Sequence, residues 1–241
     1  MHILEITKRC SLAQGFLQPF LCRAEDNQVY YAKGSNSTVR GLISEWVAAN
    51  LAAVFGLPTP DCHILYLDPA LKSISATSWQ CDLEFEYLFA SRSVQPCETL
   101  AISQVSNIPR ELQRDILIFD FWIQNADRHL GEEGGNVNLL LESASNRLQV
   151  IDFNLAFSED FSLEEMDTHV FRKSVSLYPI DLACKSQYLS RMDDALKQLD
   201  LIISKIPDEW MEYSDSADTT LKNIRDVLER GIKDEFWGEM I

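Results

Sequence analysis

Three polar clusters in the middle of the chain each adjoin a short apolar run. They are Asn125-Ala126-Asp127-Arg128-His129, Asn138 before Leu139-Leu140-Leu141, and Asp152 after Val150-Ile151. Phosphoryl transfer from a nucleotide requires a carboxylate that orients and deprotonates the attacking hydroxyl, together with an Asn and an Asp that hold magnesium ions. Oxygen ligands suit Mg²⁺, which is a small hard cation that keeps several waters. The three clusters therefore predict a kinase that depends on ATP and Mg²⁺.

The first cluster supplies the candidate catalytic residues Asp127, Arg128 and His129. Asp127 is the candidate base, although an aspartate after a helix is also a common cap or loop residue. Arg128 carries a planar guanidinium that could brace a carboxylate or a phosphate. His129 fits a buried, hydrogen-bonded imidazole as well as it fits a catalytic role.

The candidate metal ligands are Asn138, Asp152 and Asn136. Asn138 is favoured over Asn136 because it stands at the mouth of an apolar strand, but either asparagine could merely stabilise a turn. Asp152 ends an apolar run, and a buried carboxylate without a partner would be costly. A metal ion would remove that cost, and so would a helix cap or a salt bridge.

Lys33 and Glu45 are candidate nucleotide-binding residues further upstream. Lys33 ends an apolar and aromatic strand, where a lysine is either an exposed strand end or a phosphate ligand. Glu45 lies on the following helix and is a possible ion-pair partner for Lys33. Sequence motifs of other chemistries are missing: the chain contains no GxxxxGK[ST] loop, GxGxxG, HExxH or GxSxG.

Composition limits the kinds of partner. The chain has 241 residues, an apolar fraction of 46% and a formal net charge of −16. This acidic balance argues against direct binding of nucleic acid or of an anionic membrane, since both favour a positive surface. The sequence shows no apolar run of membrane-spanning length and no signal-peptide core, so a cytoplasmic location is expected. The six cysteines form no CxxC pair and are expected to be reduced core residues.

The hydrophobic pattern predicts an α+β fold with a small sheet-rich N-terminal lobe and a larger helical C-terminal lobe. The predicted elements are strands at 3–8 and 63–67, a hairpin of 16–23 with 29–33, a helix over 42–55, a helix after Pro109, a second hairpin of 139–141 with 148–151, and helical stripes over 188–206 and 221–232. Residues 83–90 are expected to cross between the lobes. The expected division is a nucleotide-binding lobe at 1–90 and a catalytic and helical lobe at 91–241, with the nucleotide in the cleft between them.

The three polar clusters resemble the catalytic core of HipA-like kinases, which belong to the same broad superfamily as the phosphatidylinositol kinases. Three other stretches agree with short members of that family: residues 19–33, residues 42–60 and residues 206–210. The resemblance covers most of residues 16–210. It implies a protein-kinase-like fold and an ATP- and Mg²⁺-dependent serine/threonine kinase.

By this resemblance, Asp127 matches the catalytic aspartate, Asn138 and Asp152 match the magnesium ligands, and Lys33 matches the phosphate-binding lysine. The segment from Ser11 to Gly15 would lie near the phosphates, in place of a glycine-rich loop. The family also implies a protein substrate and an antitoxin-like protein partner.

The chain departs from the family pattern in three ways. Residues 130–135 lengthen the loop between Asp127 and Asn138, which leaves the metal-binding asparagine open between Asn136 and Asn138. Asn154 stands where many kinases carry Gly after Asp-Phe. The chain is also much shorter than full-length HipA toxins. The lengthened loop and Asn154 favour one alternative, a kinase-fold binding module with weak catalysis. A small-molecule or lipid kinase is a second alternative.

Overall fold

The N-terminal third folds into a five-stranded antiparallel sheet in the computed structural model, which describes residues 1–11, 17–130, 135–175 and 180–240. The strands are β1 (Ile3–Arg9), β2 (Phe20–Ala24), β3 (Val29–Lys33), β4 (Cys62–Tyr66) and β5 (Tyr87–Arg92). Their order in the sheet is β1-β2-β3-β5-β4. The sheet therefore places β3 next to β5 at its centre, and the lysine that ends β3 lies within this lobe.

The predicted hairpin is confirmed as β2 and β3, with Phe20 opposite Ala32. Alternate residues of β2 are fully buried, as expected for a strand that covers a core on one face. The predicted helix is also present as α1 (Val39–Phe55). It ends at Gly56, whose φ of 93° lies in the left-handed region that glycine adopts without strain.

The expected crossing at residues 83–90 is wrong, because residues 87–92 form strand β5 between β3 and β4. Leu88, Phe89 and Ala90 are all buried, which is typical of a central strand covered on both faces and shows no alternation that would distinguish it from a buried linker. Two short helices, α2 (Pro69–Ile74) and α3 (Thr77–Gln80), connect β4 to β5.

A second, three-stranded sheet carries the two downstream polar clusters. It consists of β6 (Cys97–Thr99), β7 (Leu139–Glu142) and β8 (Leu148–Val150), in that order. The predicted hairpin is confirmed as β7 and β8. Strand β6 was not predicted, because Cys97 is the one apolar residue among its three, whereas the equally short β8 carries the buried apolar pair Leu148 and Val150.

Helices dominate the rest of the chain. They are α4 (Arg110–Trp122), α5 (Arg172–Val175), α6 (Leu182–Ile203), α7 (Asp208–Tyr213), α8 (Ala217–Glu229) and α9 (Asp234–Met240), with 3₁₀ turns at Ser35–Ser37, Ile102–Asn107, Leu163–Thr168 and Arg230–Ile232. Both predicted apolar stripes face the core, on α6 and α8. Ile232 is an exception: it lies past α8 in a 3₁₀ turn and is exposed.

The result is the expected α+β arrangement of a small sheet lobe and a larger helical lobe. Within the described ranges, no helix has the length and apolar character that crossing a membrane requires. All six cysteines are free thiols. Cys10 and Cys22 are core residues as expected, whereas Cys81 is exposed, so the core assignment is wrong for that residue.

Candidate active site

Lys33, Glu45 and Asp152 form an ionic cluster between the lobes, in which Lys33 and Glu45 are buried and Asp152 is partly exposed. Lys33 is the last residue of β3, Glu45 lies in α1, and Asp152 follows β8. The Lys33 Nζ lies 2.7 Å from Glu45 Oε2 and 2.7 Å from Asp152 Oδ1. The Lys33 ammonium therefore forms ion pairs with two carboxylates that come from different lobes.

The charges of this cluster follow from burial and pairing. Burial lowers the pKa of Lys33, but the two carboxylates outweigh it and raise the pKa above its ordinary value, so the ammonium stays charged. Burial raises the pKa of Glu45 to about 7, against the opposing effect of Lys33. Burial also acts to raise the pKa of Asp152, but the Lys33 charge prevails and lowers it. Asp152 is therefore the more strongly ionised of the two carboxyl groups.

Glu45 also fixes the backbone next to Asp152. Its Oε1 accepts a hydrogen bond of 3.2 Å from the Phe153 N–H, and the whole residue is only 3% exposed. The two oxygens of this carboxylate thus bond to the lysine and to the residue after Asp152. Glu45 lies behind Lys33, where it orients the ammonium.

Asp127 receives hydrogen bonds from both candidate asparagines. Its Oδ2 accepts from Asn136 Nδ2 at 2.7 Å and from Asn138 Nδ2 at 3.0 Å. Because an ionised carboxylate only accepts hydrogen bonds, each amide nitrogen must face Asp127 and each amide oxygen is turned away from it. Burial raises the pKa of Asp127, and the nearby charge of Asp152 raises it further. A carboxylate with a raised pKa is better suited to take a proton from a hydroxyl.

The β7–β8 hairpin brings Asn138 and Asp152 to the same end of the second sheet. Leu139 pairs with Val150, and the Ile151 N–H donates to the Asn138 carbonyl at 3.1 Å. Asn138 and Asp152 both have left-handed backbones, with φ of 48° and 61°. Asn and Asp tolerate this conformation better than most residues, and such strained positions concentrate at functional sites.

Arg128 lies beneath the site and is completely buried. Its Nε donates to Asp120 Oδ2 at 2.7 Å. Its Nη1 donates to three backbone carbonyls, those of Val137 at 3.1 Å, Asn138 at 2.6 Å and Ile151 at 3.3 Å. The guanidinium thereby joins the segment before β7 to the segment after β8, so we infer that Arg128 positions Asn138 and Asp152.

Asp120 is the hub of this buried network. Besides Arg128, it accepts hydrogen bonds from Asn125 Nδ2 at 2.8 Å and from the His169 ring at 3.0 Å. The His169 Nδ1 accepts from the Phe171 N–H, so its proton is on Nε2 and faces Asp120. Burial lowers the pKa of His169 despite the neighbouring carboxylate, which keeps the ring neutral.

Two other predicted site residues, His129 and Ser11, lie at the margins of the site. His129 is half-buried, and its backbone N–H donates to the Asn136 carbonyl at 3.0 Å, so it supports the catalytic loop through its main chain. Ser11 follows β1. Arg9 of β1 pairs with Phe20, and Phe20 pairs with Ala32, the residue before Lys33, so Ser11 lies at the sheet end that carries Lys33. Gly15 lies outside the described residues.

Sequence reasoning missed Asp120 and His169. Asp120 gave a signal, since it is a carboxylate inside the apolar run Ile118-Phe119-Asp120-Phe121-Trp122, and a buried carboxylate needs a partner. His169 gave no such signal in the sequence, because it comes close to Asp120 only when the chain is folded.

The donor chemistry fits a magnesium ion that shares its coordination with a nucleotide. Asp152 offers a carboxylate, while Asn138 and Asn136 offer amide oxygens that point away from Asp127. Among the described residues, no three His, Cys, Asp or Glu side chains form a group that could hold a metal on their own. Mg²⁺ suits such a sparse site because it usually takes one or two carboxylates and completes its shell with phosphate oxygens and waters.

The sequence matches the family model described as HipA-like kinase over residues 3–240. The chain belongs to the HipA-like kinase family. The resemblance drawn from the three polar clusters is confirmed, and the family makes the protein a phosphotransferase. Comparison with curated proteins gives no match.

Comparison with solved structures supports the fold. The proinflammatory kinase CtkA of Helicobacter pylori is similar with a TM-score of 0.51 at 9% identity, and the match covers 89% of this chain and 86% of CtkA. The open conformation of CtTel1 matches with a TM-score of 0.29 at 13% identity, over 87% of this chain and 11% of CtTel1. CtkA therefore shares the kinase fold, while the CtTel1 score is too low to establish a common fold.

Asp120→Asn should strongly destabilise the protein. The change keeps the shape of the side chain but leaves the buried Arg128 charge without its carboxylate, which typically costs about 3–5 kcal/mol. Urea unfolding measures the loss as a lower transition midpoint. Asp193→Asn is the matched control, because Asp193 pairs with Lys197 on the exposed surface of α6. Equal midpoints for the two variants would contradict the central role of Asp120.

His169 should make stability depend on pH. In the unfolded chain His169 takes up a proton below about pH 6.5, whereas its lowered pKa keeps it neutral in the folded state. The unfolded state then binds more protons, so stability falls as the pH drops below that value. His169→Gln should show a shallower fall in urea unfolding between about pH 7 and pH 5, with His2→Gln as the control at an exposed histidine. An unchanged slope in His169→Gln would contradict this.

Proposed function

We propose that this HipA-like kinase transfers the γ-phosphoryl group of ATP, with Mg²⁺, to a serine or threonine hydroxyl of a protein. The observation that carries the proposal is the convergence of Lys33, Asp127 and Asp152. Lys33 is a buried cation 2.7 Å from the ionised carboxylate of Asp152, and the Asp152 charge in turn acts on Asp127, a carboxylate with a raised pKa. Phosphoryl transfer uses these three kinds of group.

Lys33 and Glu45 form the phosphate-binding part of the site. Lys33 presents a compact positive charge, and Glu45 holds it in place through the 2.7 Å ion pair. Asp152 and Asn138 would hold the metal through their side-chain oxygens. A bound Mg²⁺ would offset the negative charge that develops during transfer.

Asp127 acts on the acceptor. It orients the hydroxyl and takes its proton as the oxygen forms a bond to the γ-phosphorus and the bond to ADP breaks. The amides of Asn136 and Asn138 fix the Asp127 carboxylate from one side. Arg128 keeps the carbonyls of Asn138 and Ile151 at a constant separation, so the base and the metal ligands stay aligned.

The protein acceptor is proposed from the family resemblance. The net charge of −16 disfavours an anionic lipid as the acceptor, since like charges repel at the docking step. An antitoxin-like partner and a cytoplasmic location remain predictions.

Asp127→Asn should abolish most phosphoryl transfer without loss of the fold. The amide keeps the shape of the side chain but cannot take the proton, and base catalysis of this kind is worth about 10²–10⁴-fold. Transfer of label from radiolabelled ATP to a test substrate or to the protein itself measures the loss. Asp215→Asn, at an exposed aspartate, controls for the charge change. Wild-type turnover in folded Asp127→Asn would refute the assignment, and no label in the wild type would favour the binding-module alternative.

Substitutions of the three candidate metal ligands should weaken Mg²⁺-dependent nucleotide binding to different extents. Asp152→Ala should weaken Mg²⁺-dependent binding of a nonhydrolysable ATP analogue by at least about tenfold, since even outer partners of metal ligands cost about 10–100-fold. Asn138→Ala should weaken binding more than Asn136→Ala, because Asn138 is fixed by the hairpin whereas Asn136 is exposed. Titration calorimetry with and without Mg²⁺ decides the order. A larger loss in Asn136→Ala would transfer the metal-ligand role to that asparagine.

A further inference from the structure

The segment at residues 206–210 resembles short HipA-like kinases but has no part in the proposed chemistry. Helix α7 begins within it and bonds to the sheet lobe. The Glu209 carboxylate accepts from the Glu86 N–H at 2.9 Å and from the Tyr87 N–H at 3.1 Å. The Trp210 indole N–H, on a fully buried ring, donates to the Tyr87 carbonyl at 2.9 Å.

A third side chain of α7 completes this contact. The Tyr213 hydroxyl donates to Glu84 Oε2 at 3.1 Å, and its ring meets Phe85 edge-on with centroids 4.7 Å apart. One helix of the large lobe thus holds four consecutive residues of the small lobe, 84–87, through backbone and side-chain bonds.

Residues 82–84 in turn hold the turn directly after Lys33. The Ser35 N–H donates to the Asp82 carbonyl at 3.0 Å, and the Glu84 N–H donates to Ser35 Oγ at 3.3 Å. Gly34 packs so closely that a Cβ there would lie 2.1 Å from the Asp82 carbonyl oxygen. A shift of residues 84–87 would therefore move the backbone that carries Lys33.

The same part of the large lobe also holds the helix that carries Glu45. The indole N–H of Trp46, the residue after Glu45, donates to the Ile202 carbonyl at 2.9 Å near the end of α6. We call residues 202–213 the clamp. The clamp bonds to the sheet segment next to Lys33 and to the helix residue next to Glu45.

We propose that the clamp, through Glu209, is a positioning element that sets the Lys33–Glu45 ion pair before nucleotide binds. The proposal rests on the proposed function, because it gives the clamp the task of placing the phosphate-binding ammonium. Glu209 acts only through the backbone of residues 86 and 87 and is therefore a positioning residue.

Titration calorimetry with a nonhydrolysable ATP analogue and Mg²⁺ tests whether Glu209 affects nucleotide binding. Glu209→Ala should weaken binding on the order of 10–100-fold, because small misplacements from remote changes can cost that much. Glu209→Gln should retain most of the affinity, since its amide oxygen can still accept from both N–H groups. Glu212→Ala, at an exposed glutamate of the same helix, is the matched control.

A double-mutant cycle identifies the residue through which Glu209 acts. In a Lys33→Met background, Glu209→Ala should cause little further loss, because residues that act through one another are not additive. Additive losses would overturn the proposal.

Hydrogen exchange on the nucleotide-free protein separates this proposal from the proposed function. Glu209→Ala, but not Glu212→Ala, should speed amide exchange at residues 33–35. If wild type fails to bind the analogue, the proposed function fails while exchange still decides the role of the clamp. Unchanged exchange in Glu209→Ala would overturn the clamp.

Discussion

The buried ion pair of Arg128 and Asp120 is the constraint on which the site depends. A guanidinium with no exposure is tolerated only if its charge is paired and its N–H groups find acceptors. Asp120 supplies the charge, and the carbonyls around β7 and β8 supply the acceptors. These acceptors belong to the segments that carry Asn138 and Asp152. The cost of burying the charge is thus met only in the arrangement that brings the candidate metal ligands together.

The second electrostatic feature is an excess of negative charge around Lys33. The Lys33 ammonium faces Glu45 and Asp152 at equal distances, and Asp127 adds a further carboxylate within electrostatic reach of Asp152. A phosphate chain alone would be repelled by these carboxylates, because like charges in a partly buried site are poorly screened. A divalent cation that arrives with the phosphates reverses this balance. We therefore expect nucleotide and metal binding to be strongly coupled, which agrees with the sparse set of protein ligands.

Several of the elements predicted correctly have a hydrophobic pattern that extends over many residues. Helix α1, the β2–β3 hairpin and the stripe on α6 each repeat their pattern over several residues. Strand β5 was mistaken for a crossing because burial on both faces removes the alternation. The candidate polar residues were found because local motifs mark them. Asp120 and His169 were missed because their partners come from distant parts of the chain, and only tertiary packing gives them a role.

The packing of α1 bears on how the Lys33–Glu45 pair behaves. Apolar residues of α1 are buried around most of its circumference, among them Leu42, Val47 and Phe55. Swinging this helix away from the lysine would expose several such side chains, each worth about 1.5–3 kcal/mol when buried. The sum approaches the whole stability of a typical domain, about 5–15 kcal/mol. Rotation of α1 is therefore too costly to act as a regulatory switch, and Glu45 keeps its place in the fold. Control of such a kinase would have to act where less surface is buried, through the supply of nucleotide and metal or near the exposed Asn136.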